Sequence, residues 1–531
     1  MSDSRSTVVE RGVVPPPRLQ LGRIIVCAVI LAATMPRTSE AQSAEAAIFL
    51  PGSAVTIPRT ARASRPTAPS VCGSPVLPAD ADSLDRVMLA AMIERHVPGF
   101  SIAVIDHGRL RAIRAYGWAD VEQCIPATDT TLFGIGSISK HFAAVGTLLL
   151  VQDGKLSLDD PITRYLPEGE GSWDGITVRH LLTHTSGIPD YCGDDDKYPS
   201  ITLDRASSPT TPELLRQIAA AKLNFRPGDD WAYSNTGYLV LSALIERVSG
   251  EPFPDYMRDH VFRPLGMTRT RFYSPIELIP GRATPYHVDS SGVVTHGPFI
   301  SDQFSRWGDM GMLSTARDMA RWSVAMDSLR LLSPELWRQM WTPVRLNQGW
   351  SFPYGFGLNV GEIRRDAVVW HDGTFRVGYS SEYLRFPDRG LAVIVLSNHW
   401  GYGFQPAALS DAILAALEPA VASLPRAPRP DPQPRVTAAI LQLLRGADEA
   451  HGATGTTLAF RRLELPRLLK LPGVEALHFL ECAAPSSSTP ADALGTPVSR
   501  VCTYRLEAAA GPPRLMIFLT SRDEVAGITG W

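Results

Sequence analysis

Ser137 and Lys140 stand three residues apart in the segment Phe133-Gly134-Ile135-Gly136-Ser137-Ile138-Ser139-Lys140. Here a glycine-punctuated stretch passes into an apolar-periodic run that continues to Gln152 and stops at Asp153-Gly154. On a helix that spacing puts the two side chains on one face, within reach of each other. A serine at a helix start also lies in the positive end of the helix dipole, with free backbone N–H groups nearby. Acyl transfer asks for both features: a base to take the hydroxyl proton, and donors for the oxyanion that forms. Lysine can be that base if its surroundings lower its pKa, whereas arginine stays protonated. The chain holds five lysines (Lys140, Lys155, Lys197, Lys222 and Lys470) among 51 basic residues, and only Lys140 has a serine three positions before it. In so arginine-rich a chain, lysine at this position is what the chemistry would demand. Taken alone, the pair also fits an exposed helical lysine beside a capping serine.

The surrounding segments narrow the choice. Leu181-Leu182-Thr183-His184-Thr185-Ser186-Gly187 comes next, followed by Pro227-Gly228 and Tyr233-Ser234-Asn235. Gly311-Met312-Leu313-Ser314-Thr315 follows, with Asp318 after it, and then His371-Asp372-Gly373 ahead of two strand-like runs. In this order the set resembles the serine beta-lactamase-related hydrolases: class C beta-lactamases, D,D-peptidases, D-aminopeptidases and lactamase-like esterases. The resemblance covers about Asp82 to Leu417. It implies Ser137 as the acylated nucleophile and Lys140 as the group that abstracts or relays its proton. Tyr233 would share acid and base work, its phenol drawn toward phenolate by a neighbouring ammonium. Asn235 would orient substrate and bond Lys140. His371-Asp372-Gly373 would occupy a strand edge, with Gly373 keeping the strand flat for substrate, and the N–H groups of Ser137 and Thr374 would form the oxyanion hole. Where the family places K-T-G or H-x-G, this chain has a histidine followed by an aspartate. The fixed cation that a beta-lactam carboxylate wants is therefore missing, with Arg376 only a partial substitute. That favours esters, or amides bearing a free amine, over penicillins.

Other chemistries find less support. His180 and His184 are four apart, but no H-E-x-x-H exists and no third ligand lies nearby, so no metal or other cofactor is expected and His184 is read as structural. The G-x-S-x-G nucleophile elbow is absent. Trp231, Trp322, Trp370 and Tyr286 are candidates for the cleft wall, with core packing the default for each. A second reading keeps the cleft and drops the chemistry, giving a non-catalytic penicillin-binding-like sensor; an intact Ser137, Lys140 and Tyr233 argue against it.

Elements that would position these residues follow from periodicity. A helix is expected from Asp82 to Glu94, then strands at Phe100–Ile105 and Leu110–Ala115 joined by Asp106-His107-Gly108-Arg109. Late strands are expected at Gly355–Val360, Ala367–Trp370, Tyr379–Phe386 and Leu391–Ser397, closed by a helix at Pro406–Leu417. Between these blocks the pattern is mostly helical with long loops. The economical fold is α+β: one antiparallel sheet built from both ends, flanked by helices, with an inserted mainly helical lobe and a cleft between the two. Proline-rich residues 419–435 read as a stiff linker to a small α+β domain over 436–531. That domain has a helix at Val436–Leu444 and strands at Val474–Cys482, Arg500–Leu506, Arg514–Thr520 and Val525–Ile528.

Length and composition are those of a globular protein: 531 residues, 44% hydrophobic and 20% charged. A net charge of −3 gives no case for nucleic acid. Arg18 and Arg23 precede an apolar run from Ile24 to Met35, too short for a membrane span, and Ser39-Glu40-Ala41 offers a cleavage site. A signal peptide over 1–41 is therefore expected, with export to the periplasm or medium and a flexible leader over 42–80. Six cysteines agree with an oxidising destination. Cys482 and Cys502 end and begin adjacent strands and are expected to bond; Cys72 and Cys124 are a second possible pair, leaving Cys192 as the odd thiol.

Overall fold

The computed structural model describes residues 47–50, 53–56, 72, 81–193, 198–349, 351–363, 366–401 and 406–417, and, toward the C-terminus, 437–438, 440–442, 474–483, 492–493, 496–508, 514–520 and 525–530. The expected signal peptide and the 419–435 linker lie outside these residues. The chain divides into two compact units, 1–64 and 65–531. In the first, Ala47–Leu50 pairs antiparallel with Ser53–Thr56, a short hairpin inside the stretch read from sequence as an unstructured leader. Its strands are four residues each, too short for alternation to stand out from the Ala- and Ser-rich surroundings.

In the second unit, helix α1 (Ser83–Glu94) starts where Asp82 and Asp85 form a capping box, each carboxylate accepting the other residue's backbone N–H. A seven-stranded antiparallel sheet follows. Its strands are β1 (Gly99–Asp106), β2 (Arg109–Asp120), β3 (Ile125–Pro126), β4 (Asn359–Ile363), β5 (Asp366–Phe375), β6 (Tyr379–Phe386) and β7 (Leu391–Ser397), in the order β4-β5-β6-β7-β1-β2-β3. The early pair and the late block thus meet at β7 and β1, with Ile394 opposite Ala103. Strand β4 begins and ends a few residues later than expected, and β5 runs on through His371-Asp372-Gly373 to Phe375.

Alternation sorts the sheet's residues between two cores. Ala103, Ile105, Ala392, Ile394 and Leu396 face the large core shared with the helical lobe. Phe100, Ile102, Val104, Leu391, Val393 and Val395 face a smaller core closed by α1 and a C-terminal helix, α5 (Pro406–Leu417). The lobe contributes α2 (Ser139–Gln152), α3 (Asn235–Ser249) and α4 (Ala316–Asp327). Helix α2 is nearly all buried, with Phe142 packed at a tilt against Trp322, 4.2 Å between ring centroids. No helix among the described residues is long and apolar enough to cross a membrane.

Toward the C-terminus, β8 (Val474–Ala483), β9 (Arg500–Ala508), β10 (Arg514–Leu519) and β11 (Val525–Gly530) form an antiparallel sheet in sequence order. Residues 437–438 and 440–442 are helical. Cys482 lies directly opposite Cys502 and bonds to it, with Cα atoms 4.0 Å apart. Cys72 bonds Cys124, the second pair the sequence left as a possibility, and Cys192 is free.

Candidate active site

Ser137 sits in a single 3-10 turn, Gly136–Ile138, that runs directly into α2. Neighbours pin that turn from two sides. The Ile135 amide donates to the Met312 carbonyl at 2.9 Å, and the Met312 amide donates to Ser139 Oγ at 3.2 Å. On the other side, β5 packs so closely that a Cβ on Gly136 would stand 2.6 Å from the Thr374 backbone nitrogen. Gly136 has φ +51°, in the left-handed region. Strand β4 pairs with β5 only as far as Trp370, so beyond it the outer edge of residues 371–375 runs free of β4 alongside the nucleophile turn.

Lys140 is fully buried. Its Nζ lies 2.8 Å from Asn235 Oδ1, 2.7 Å from the Asp309 carbonyl and 3.2 Å from Ser137 Oγ. Once the amine has lost its proton, the two short contacts use both remaining N–H bonds and leave the lone pair directed toward Ser137 Oγ. Burial pulls the lysine pKa down to about 8, against the opposing pull of Asp309 and Asp190. Tyr233 brings its ring within 4.7 Å of Nζ, and its hydroxyl hydrogen-bonds Ser137.

Desolvation pushes the Tyr233 phenol well above its ordinary pKa, and Asp372 and Asp190 push the same way. These shifts run opposite to the pull toward phenolate expected from the sequence and favour the neutral phenol, whereas burial favours the unprotonated amine of Lys140.

Asn235 opens α3 with Ser234 as its cap, the Ser234 hydroxyl accepting from the Gly237 amide at 3.0 Å. Its side-chain amide is oriented by Asp190, whose carboxylate accepts from Asn235 Nδ2 at 3.1 Å and from the Asn235 backbone amide at 2.7 Å. That leaves Asn235 Oδ1 facing Lys140. His184 stands behind Tyr233 at 4.4 Å between centroids, and its Nδ1 accepts from the Ser234 amide at 3.1 Å. With φ +60° and a buried, neutral ring, it shapes the turn that presents Tyr233. His180 Nδ1 accepts from the Thr177 amide in a capping box. Among the described residues, no group of His, Cys, Asp or Glu side chains is arranged to hold a metal ion.

His371 lines the cleft, but its ring is buried. Nδ1 donates to the Asp372 carbonyl at 2.6 Å, so Nε2 accepts from the Tyr354 hydroxyl at 3.1 Å. Burial drops its pKa to about 4, so it presents no cation. Asp372 and Thr374 point outward from the same strand. Gly373 has a different role from the one expected. A Cβ there would stand 2.0 Å from the Ile135 carbonyl oxygen and 2.2 Å from Ser381 Oγ, so its bareness lets β5 close on the nucleophile turn. Arg376 reaches the Cys192 carbonyl at 3.4 Å.

Together Ser137, Tyr233, Asn235, His371, Asp372, Thr374 and Arg376 line one cleft of about 510 Å³, joined by Asp190, Cys192, Met310, Asn359 and Trp400. A larger cavity, about 700 Å³, lies among Arg258, Arg263, Arg269 and Arg271. Its arginines are held by Asp259, Glu277 and the Pro280 carbonyl, and its one close hydroxyl–carboxylate pair, Ser274 and Asp302 at 2.5 Å, has no lysine or histidine among the lining residues, so the Ser–Lys–Tyr constellation lies in the smaller cleft. Trp322, Trp370 and Tyr286 are core residues, and Trp231 stacks on Phe352 at 3.9 Å behind Tyr233. Asp318 accepts from the Arg269 and Thr270 amides and caps no chemistry. Asp190, Tyr191 and Asp309 were not anticipated from the sequence. Asp190 follows the His-Thr-Ser-Gly segment by three residues, but nothing in its spacing links it to Asn235.

The Beta-lactamase family model matches residues 84–418. The chain belongs to the Beta-lactamase family. It is similar to penicillin-binding protein 4* of Bacillus subtilis, with 30% identity over 327 residues, covering 59% of this chain and 71% of that protein. Among solved structures it resembles the octameric penicillin-binding protein homologue from Pyrococcus abyssi (TM-score 0.54, 27% identity, 83% of this chain and 90% of that one). It also resembles EstCE1, a hydrolase with promiscuous acyltransferase activity (TM-score 0.53, 25% identity, 62% of this chain and 97% of that one). The Pyrococcus likeness takes in more of this chain than the family model does. The α+β architecture read from the sequence is the beta-lactamase-type fold of these neighbours.

Proposed function

We propose that the protein is an exported serine hydrolase that cleaves ester or amide bonds through an acyl-enzyme on Ser137. The observation that carries this is the approach of Lys140 Nζ to Ser137 Oγ, 3.2 Å, by a lysine whose burial makes the free amine accessible near neutral pH. In this reading Lys140 accepts the Ser137 proton as Oγ attacks the substrate carbonyl. The backbone N–H groups of Ser137 and Thr374 hold the oxyanion, and Tyr233 passes a proton to the leaving group. Water then enters, gives its proton back along the same pair and releases the acid.

Esters and amino-acid amides suit the cleft better than beta-lactams. His371 is neutral, and Asp372 adds a negative charge where a substrate carboxylate would lie. Both disulfides suit an oxidising compartment. The test is labelling of the purified protein with a fluorophosphonate probe, followed by turnover of short-chain nitrophenyl esters, D-alanyl amides and a chromogenic cephalosporin. Ser137→Ala is expected to abolish labelling and to cost on the order of 10⁴–10⁶ in rate with the fold intact. Labelling that survives this substitution would point to another nucleophile. An inert wild-type protein would favour the sensor reading.

A further inference from the structure

Asp309 occupies the heart of the lobe, on the turn before Met312, with no exposed surface. Its carbonyl accepts from Lys140 Nζ at 2.7 Å. One carboxylate oxygen accepts from the Tyr191 hydroxyl, and the other, Oδ1, has no hydrogen-bond partner. A carboxylate buried with a vacant oxygen is costly unless a nearby cation offsets it. The cation present is Lys140.

We propose that Asp309 is a positioning residue for the acyl-transfer reaction: its carbonyl aims the Lys140 amine, and its carboxylate, tethered by Tyr191, sets how readily that amine gives up its proton. This rests on the reading of Lys140 as base. Asp190-Tyr191 works as one clamp, because Asp190 orients Asn235 against one side of Lys140 while Tyr191 holds Asp309 against the other.

The groups around the lysine amine make the sign definite. Asp309, Asp190 and Asp372 favour its protonated form, and the Cys192 thiol, pushed up to about 12 by burial, is uncharged when the lysine titrates. His141, His184 and His371, all buried and neutral, add no charge, and Tyr233 and Tyr238 present their ring faces. Around Asp309 itself stand Lys140, Tyr191, Asp190 and Cys192. Burial raises the Asp309 carboxyl to about 6, below the lysine's transition, so the carboxylate is charged when Lys140 titrates. Removing that charge lowers the lysine pKa and moves the acid limb of the reaction to lower pH.

The experiment is the second-order rate of fluorophosphonate acylation of the full chain as a function of pH. It reads acylation alone and needs no knowledge of the natural substrate. Asp309→Asn keeps shape and the acceptor for Tyr191 while deleting the charge. Its acid-limb midpoint is expected to fall by roughly one to three pH units, the effect of removing an opposite charge at this range. Tyr191→Phe leaves the carboxylate but removes its tether, favours protonated Asp309, and is expected to move the limb the same way by less. It also serves if the asparagine variant fails to fold. A merely structural Asp309 would lower the plateau and leave both midpoints where they are, and coincident midpoints overturn the proposal. Failure of the wild-type protein to react at all would instead overturn the hydrolase reading.

Discussion

Gly136→Ala is the most exacting test of how the two halves of the site are held together. The added methyl would stand 2.6 Å from the Thr374 nitrogen and 2.8 Å from the Gly373 carbonyl carbon, both backbone atoms of a strand paired to β6. Ordinary contact begins near 3.4 Å, so roughly 0.8 Å must open between the nucleophile turn and β5 if attraction is to replace repulsion. The variant also asks alanine to adopt φ +51°, at a cost of about 1–2 kcal/mol. Overpacking adds about 1–3 kcal/mol more. In a domain of this size that lowers Tm by several degrees without unfolding it. The catalytic consequence is larger. The proposed oxyanion donors sit on opposite sides of this contact, and a misplacement of nearly 1 Å costs on the order of 10²-fold in rate. Acylation by a fluorophosphonate, with thermal melting on the same preparation, measures both effects. A variant that melts a few degrees lower yet acylates within about threefold of wild type would refute the claim that this contact sets the oxyanion geometry.

Lys140→Arg keeps the charge and removes the free base, so acylation is expected to fall by at least about 10³-fold; a variant with most of its rate would leave Tyr233 as the proton acceptor. In the substrate panel, short-chain esters or D-amino-acid amides are expected to turn over well ahead of the cephalosporin, and a cephalosporin that outpaces every ester would overturn the charge argument at His371-Asp372. Glu382 is buried, accepts from the Ser410 hydroxyl at 3.2 Å, and has its carboxyl pushed well above the usual range by desolvation. A raised folded-state pKa contributes stability that is fully present below the unfolded value and is lost as pH rises. Glu382→Gln, which mimics the protonated form, should therefore gain Tm over wild type more at pH 8 than at pH 5; a difference independent of pH would show that Glu382 does not titrate with folding.

Much of the frame was legible because burial on both faces of a sheet or one face of a helix imposes a period on the sequence. Helix α1 announced itself by Leu84, Val87, Met88, Ala91 and Met92 on one face, β7 by an apolar run from Leu391 to Leu396, and the β6–β7 turn by Pro387-Asp388-Arg389-Gly390. Strand β5 was only half visible, since His371-Asp372-Gly373-Thr374 breaks the apolar pattern where the strand turns from core to cleft. Ser137 and Lys140 were legible because helical spacing links them. Asn235, 95 residues away, was reached only through the family resemblance, and Asp309, 169 residues away, was missed, because no local rule joins such positions to the amine. The direction of the Tyr233 shift was misjudged for a related reason: the ammonium was inferable from sequence, but the desolvation that outweighs it belongs to the tertiary packing.

The charge arrangement links that packing to selectivity. A lysine buried without nearby carboxylates would lose its proton far below neutrality, and one salt-bridged at the surface would keep it well above. Lys140 is held between these limits, near 8, because desolvation is partly offset by Asp309 and Asp190. Those carboxylates, with Asp372 on the facing strand, leave the cleft short of positive charge. Arg376 is the cation at its rim, and it reaches toward the Cys192 carbonyl. Among the described residues, a carboxylate beside Ser137 would face Asp372, the field of Asp190, a neutral His371 and, at the rim, Arg376. A neutral ester meets no such penalty, and a substrate ammonium would be attracted. Under the proposed function, the carboxylates that hold Lys140 near 8 thus also bias which substrates reach it.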